Sequence, residues 1–229
     1  MFPADGQHRV GTIRQVLKSN PELGAVSVPV ILIPFKSRGQ VRQYFTDLNL
    51  HAKKVNNSIG LTFETRDPIA LITKELEKLM CDYIGCKHCI MTTSGTTSII
   101  LALLSLDLEE DSEVIVPNYT MIATINAVKF LRLRPVIVDV NKDTFTLDIN
   151  TIKEAFSDKT KVILHVSLNN RYTNMDGIVD LCNENNIILI EDSAQSLGCR
   201  INKKSLGTFG KIGCFSLSTP KIISTGQGG

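Results

Sequence analysis

Lys221 closes the run Cys214-Phe215-Ser216-Leu217-Ser218-Thr219-Pro220-Lys221 and is followed by a glycine-rich stretch, IISTGQGG, over residues 222–229. A lysine just past a strand and ahead of such a turn can reach a central ligand and act as an amine nucleophile. Taken alone, a lysine is a solvated charge. Glu191-Asp192-Ser193-Ala194-Gln195 follows the apolar run IILI. Two carboxylates at the end of a buried strand are costly unless they find partners, so this pair marks either a salt bridge or cap, or a site. Thr93-Ser94-Gly95-Thr96-Thr97 stands before an apolar stretch. A glycine there lets backbone N–H groups approach an anion, and a helix N-terminus favours negative charge; taken alone, capping by Ser94 explains it. Cys86-Lys87-His88-Cys89, with Cys81 close by, has the spacing of half a zinc site. No second CxxC or HxxxH follows at finger spacing, so no metal site is expected.

In an open α/β sheet, ligands bind beyond the carboxyl ends of the strands. That rule brings the turn, the acid and the amine to one edge. The three together suit pyridoxal phosphate (PLP), which needs an anion cradle, a carboxylate at its pyridine nitrogen and a lysine for covalent attachment. The carboxylate keeps the ring nitrogen protonated, and the lysine needs a partly desolvated site to react as a free amine.

The elements that must position these groups alternate along the chain. Ile69, Ile72, Leu76, Leu79, Met80 and Tyr83 recur at helical spacing, and Gly85 follows as a stop. Strands are predicted over 89–93, 113–116, 135–140, 161–166, 187–191 and 213–218. Helices are predicted over 96–106, 119–131, 149–156 and 175–185, and a hairpin over 198–206 with Asn202-Lys203 at its turn. The strand 187–191 is so apolar that both of its faces must be covered. This order predicts a mainly parallel sheet with helices on both faces. Residues 1–58 show weak periodicity and no chemistry. Their most apolar stretch, 25–34, is too short to span a bilayer and carries a central proline, so it reads as a buried strand or packed lead-in segment.

The chain has 229 residues, 43% of them apolar and 21% charged, as a soluble globular protein has. Its net charge of +2, with no dense Lys/Arg stripe, argues against nucleic acid. Of the six cysteines, Cys182, Cys199 and Cys214 lie in apolar or strand-like runs and read as small buried hydrophobes in a reducing compartment. A cytoplasmic location follows.

From about residue 69 to 229, in one register, the sequence resembles the DegT/StrS-type sugar aminotransferases. The likeness runs through YIGCKHCIMTTSGTTSIILAL, EVIVPNYTMIATINAV, PVIVDVNKDTFTLD, NMDGIVDLCNENNIILIEDSAQSLG and GTFGKIGCFSLSTPKIISTGQGG. It implies a three-layer α/β/α fold, the large domain of PLP-dependent transferases, working as a homodimer. It implies amino transfer, with glutamate as the expected donor, to a nucleotide-linked keto sugar in amino-sugar and surface-polysaccharide synthesis. Position by position, Lys221 falls on the lysine that carries the cofactor and shuttles the proton. Asp192 falls on the carboxylate at the pyridine nitrogen, and Gln195 on the side chain that bonds the ring hydroxyl. Gly95, Thr96 and Thr97 fall on the phosphate turn, Ser216 on a second phosphate ligand, and His165 on a recurring strand-end histidine, read as a satisfied core residue.

Some positions depart from the family pattern. Met121 stands where an aromatic ring usually stacks on the cofactor, although a thioether can pack there too. Asn170 stands where glycine is common, and Gln227 in a turn that more often reads GEGG. Relatives that dehydrate sugars carry histidine at the cofactor lysine, so Lys221 favours transamination. Family members continue well beyond the glycine-rich turn with an antiparallel strand and a small domain. The expectation is therefore a poorly matched segment over 1–58 and a large domain over 59–229, incomplete at its C-terminus. The alternative is an inactive remnant, or a subunit that needs another chain to complete its site.

Overall fold

A computed structural model describes residues 68–229; the expectations for 1–58 and for the apolar stretch 25–34 lie outside the described residues. Helix α1 (Pro68–Ile84) leads in, and the division between the chain's two compact units falls within it, after Glu75. The second unit continues with α2 (Gly95–Leu104), β1 (Glu113–Pro117), α3 (Ile122–Phe130), β2 (Arg134–Val138) and α4 (Ile149–Glu154). Then come β3 (Thr160–Val166), a short 3-10 turn (Leu168–Asn170), α5 (Met175–Glu184), β4 (Ile188–Asp192), β5 (Arg200–Ile201), β6 (Lys204–Ser205) and β7 (Ile212–Cys214).

Five of the strands form one sheet in the order β2-β1-β3-β4-β7, and every pairing is parallel. Alternation along the strands sends side chains to two cores. Ile115, Ile163 and Leu189 meet Ile152 of α4 and Met175, Ile178 and Leu181 of α5 on one face. Val114, Val116, Val162, Leu164 and Ile190 meet Ile99 and Leu103 of α2 and Ala127 and Val128 of α3 on the other. Both faces of β4 are therefore covered, and the layers are α/β/α as the alternation of elements predicts. Chain order reverses between β1 and β3, which sets a crevice at the carboxyl ends of those strands. The β5–β6 hairpin turns at Asn202 (φ 47°) and Lys203 (φ 70°), the left-handed pair that a two-residue type I′ turn requires. Among the described residues, no helix is long and apolar enough to cross a membrane.

The structure corrects two expectations. Residues 89–93 do not form a strand. Thr92 alone pairs, exchanging both backbone hydrogen bonds with Gly229 (2.7 and 3.1 Å), whereas the neighbouring Met91 N–H donates to the Glu77 carboxylate (2.9 Å) and is lost to any ladder. The last strand ends at Cys214, not Ser218, because the chain folds back and Leu217 N–H donates to Gly228 O (2.9 Å). The helix read from 69 to 83 is present as α1, with Gly85 after its end; Met80 on it packs with Ile84, Leu197 and Leu217, and Leu79 and Tyr83 are exposed.

Glu191 holds the loop that delivers β7. Its two carboxylate oxygens accept from Gly207 N–H and Gly210 N–H, each at 2.7 Å. Burial pushes this carboxyl up, and the hydrogen bonds from Gly210, Gly207 and Phe209 oppose it. Glu191→Gln keeps the shape but must set an NH2 group against one of those donors. A loss of about 2–4 kcal/mol is expected, read from the midpoint of denaturant unfolding at neutral pH.

Candidate active site

A cavity of about 360 Å³ opens where the loops after β1, β3, β4 and β7 meet the first turn of α2. Ser94, Gly95 and Thr96 line it from α2. Thr120 and Met121 come from the end of β1, Val166, Ser167 and Leu168 from β3, Asp192 and Gln195 from β4, and Ser216, Ser218, Lys221 and Gln227 from beyond β7. Of the residues singled out in the sequence, Lys221, Asp192, Gly95, Thr96, Met121, Gln195 and Ser216 therefore share one space. Thr97 stands apart: its backbone N–H donates to Ser94 Oγ (3.2 Å), and its hydroxyl lies 2.9 Å from Ser94 Oγ and 3.2 Å from that of Thr93. Ser94 both caps α2 and lines the cavity, so the cap seen in the sequence is present and stands at the cavity wall.

The cradle is glycine-tight. A Cβ on Gly95 would lie 2.8 Å from Ser216 Cβ and 3.2 Å from Phe215 O, so only glycine lets α2 begin against this segment. With Ser94 capping Thr97, the first-turn N–H groups of Gly95 and Thr96 remain as donors at the positive end of the helix. Ser216 and Ser218 stand opposite, their hydroxyls 3.2 Å apart.

Asp192 and Lys221 are the two ionisable side chains among the lining residues. Asp192 is buried, which pushes its carboxyl up. The Thr124 hydroxyl (2.8 Å), the Ala194 N–H (3.2 Å) and the charge of Lys221 pull it back. Gln195 Oε1 accepts from Asn169 N–H (2.9 Å), so its NH2 group remains as a donor. Asn169 and Asn170 hold that loop at φ 51° and 61°, left-handed values that asparagine tolerates where glycine would serve.

Thr120, Thr124, Ser167 and Ser218 belong to this site and carry no signal in the sequence. The Thr124–Asp192 bond spans two crossovers, and a threonine inside ATINAV looks like any helical residue. His165 lies in the core as read, but it is not satisfied: neither ring nitrogen has a hydrogen-bond partner, nor do the buried hydroxyls of Ser167 and Ser193. Cys182 and Cys214 are buried, whereas Cys199 is only half-buried. Burial pushes Cys89 up to about 11, and Cys86 Sγ donates to His88 O (3.3 Å). Among the described residues, no group of three or more His, Cys, Asp or Glu side chains is placed to hold a metal ion.

The family model described as the DegT/DnrJ/EryC1/StrS aminotransferase family matches residues 71–229. A second, described as DNA-sulfur modification-associated, matches residues 4–105. The chain is 38% identical over 155 residues to the GDP-perosamine synthase of Caulobacter vibrioides, covering 68% of this chain and 42% of that one. The solved aminotransferase from Psychrobacter cryohalolentis matches with a TM-score of 0.67 at 30% identity, over 86% of this chain and 48% of its own. A GDP-4-keto-6-deoxymannose-3-dehydratase, solved with a trapped PLP-glutamate geminal diamine, matches with a TM-score of 0.66 at 34% identity, over 68% of this chain and 42% of its own. The chain spans about two fifths of the length of the curated relatives it matches.

Burial alone lowers His165 from 6.5 to about 4. The folded protein thus holds the neutral ring. The stability this gives is fully present above the ordinary histidine range and is lost as pH falls from 6.5 toward about 4, to the extent of about 3 kcal/mol. Glu191, raised by burial, works in the opposite sense and gains on acidification. Denaturant midpoints between about pH 7 and about pH 4.5 are expected to fall more steeply for the wild type than for His165→Leu.

Proposed function

The chain belongs to the DegT/DnrJ/EryC1/StrS aminotransferase family, and on that premise we propose that it serves in PLP-dependent transfer of an amino group from an amino acid, glutamate in this reading, to the keto group of a nucleotide-linked sugar, in amino-sugar and surface-polysaccharide synthesis. The observation that carries the reading is the cavity shared by Asp192 and Lys221, walled on one side by the glycine-tight serine cradle.

The residues present fit the cofactor. Gly95 leaves no room for a Cβ, so α2 begins against Ser216, an arrangement suited to a phosphate. Asp192 is buried yet held by donors, suited to a ring N–H. When bound, PLP supplies an electron sink for the carbon that bears the amino group and carries the nitrogen from donor to acceptor. Gly95 N–H, Thr96 and Ser216 would bind its phosphate. Asp192 would hold the proton on the pyridine nitrogen, and Gln195 would donate to the ring hydroxyl oxygen. Met121, exposed at the cavity rim, would pack its thioether on the ring. Lys221 Nζ would hold the cofactor covalently, then take and return the proton at the reacting carbon. Val166, Ile99 and Leu168 would give that space apolar wall.

The names of the relatives support a sugar nucleotide as acceptor, and lysine rather than histidine at 221 supports amino transfer over dehydration. The reading includes a homodimer, supported by the exposed Leu101, Leu104 and Phe130 on α2 and α3. It also includes a cytoplasmic setting, supported by the free thiols.

Mixing the purified chain with PLP is expected to give a visible absorption band that Lys221→Ala abolishes, with borohydride fixing the cofactor to the peptide that contains Lys221. A band unchanged in Lys221→Ala would sink the proposal.

A further inference from the structure

Thr124 sits in the first turn of α3 and is fully buried. Its hydroxyl donates to Asp192 Oδ2 at 2.8 Å, and the Thr120 hydroxyl lies 2.9 Å from it. A hydroxyl has one proton to give. An ionised carboxylate is an acceptor only, so the Thr124 proton is committed to Asp192. Thr120 must then be the donor to Thr124. The three groups form a one-way chain, Thr120 to Thr124 to Asp192, that starts at the cavity wall, because Thr120 lines the cavity. Were Asp192 protonated, the direction could reverse.

Asp192 Oδ1 is held separately by the Ala194 N–H (3.2 Å). Each carboxylate oxygen therefore has one fixed donor, and the plane of the group is set from two sides. The titratable groups that face Asp192 are Lys221, from the loop beyond β7, and the Cys214 thiol on β7, which burial pushes up to about 12. Glu191 precedes it on the same strand, and its side chain points to the opposite face and is taken up by Gly207 and Gly210. Among the described residues, Lys221 is thus the one cation on this carboxylate, and it sits in a loop. Among the same residues, Thr124 is the one side-chain hydrogen-bond donor to it, and it sits on a helix.

We propose that Thr124, backed by Thr120, is a positioning residue that fixes the Asp192 carboxylate as an acceptor for the cofactor's ring N–H. This rests on the reading of the cavity as a PLP site. Thr124 itself touches neither cofactor nor substrate; it acts through Asp192. A threonine that merely fills the core would be replaced by isosteric valine without effect on either reading below.

The test compares the wild type with Thr124→Val, Thr124→Ser and Thr120→Val in two measurements: titration of the Asp192 carboxyl by 13C NMR without cofactor, and PLP affinity by absorbance. Thr124→Val is expected to titrate Asp192 at higher pH and to bind PLP about 10- to 100-fold more weakly, the scale of a hydrogen bond to a charged group. Thr124→Ser keeps the donor and restores both. Thr120→Val moves both in the same direction by less. Wild-type values in Thr124→Val, or no recovery in Thr124→Ser, overturn the proposal. If Thr124→Val does not fold, Thr120→Val decides, and an unmoved Asp192 titration there overturns it. If the wild type binds no PLP, the cofactor reading fails, and the titration without cofactor still judges the relay.

Discussion

Two neighbouring carboxylates end a strand whose other residues are apolar on both faces, and each must be satisfied where it is buried. Because side chains alternate along a strand, Glu191 and Asp192 cannot share a partner. Glu191 points to the face of α4 and α5 and is consumed by backbone donors of the 207–210 loop. Asp192 points to the face of α2 and α3, where the Thr124 hydroxyl meets it. One acid thus builds the route by which β7 and Lys221 arrive, and the other waits in the cavity that this route completes. The sequence left a structural pair and a functional site as alternatives for this dipeptide; in the structure Glu191 is taken up by backbone donors, and Asp192 lines the cavity.

The same division leaves polar groups in a cavity whose lining also includes Ile99, Val166 and Leu168. The wall formed by the start of α2 and Ser216 presents helix N–H groups and hydroxyls, so little charge is buried to make it. The close fit of Gly95 against Ser216 does what a longer polar side chain would do less rigidly: it brings backbone donors to a fixed distance from the opposing hydroxyls.

What could be read in the sequence was whatever repeats locally. The apolar runs 113–116 and 161–166 and the amphipathic helix Met175–Glu184 were placed to within a residue or two, because period and burial coincide there. The Asn202-Lys203 turn was legible from its residue types. Residues 89–93 misled because β-propensity says nothing about whether a partner is available, and the Glu77 carboxylate had claimed Met91 N–H. Thr120 and Thr124 were invisible because their meaning lies in a hydrogen bond between elements distant along the chain. The cavity-lining set around Lys221 came from the parallel-sheet rule and the family likeness together; neither run of residues shows it alone.

The mutual pair of backbone hydrogen bonds between Thr92 and Gly229 ties the approach to α2 to the loop that follows Lys221. The two segments it joins are 137 residues apart in the sequence and lie on either side of the sheet strands in chain order. Closure over so long a loop is entropically late, because the intervening strands must already be in register before the two segments can meet. The geometry of the cradle therefore depends on a contact that can form only once the sheet between its two ends is in place.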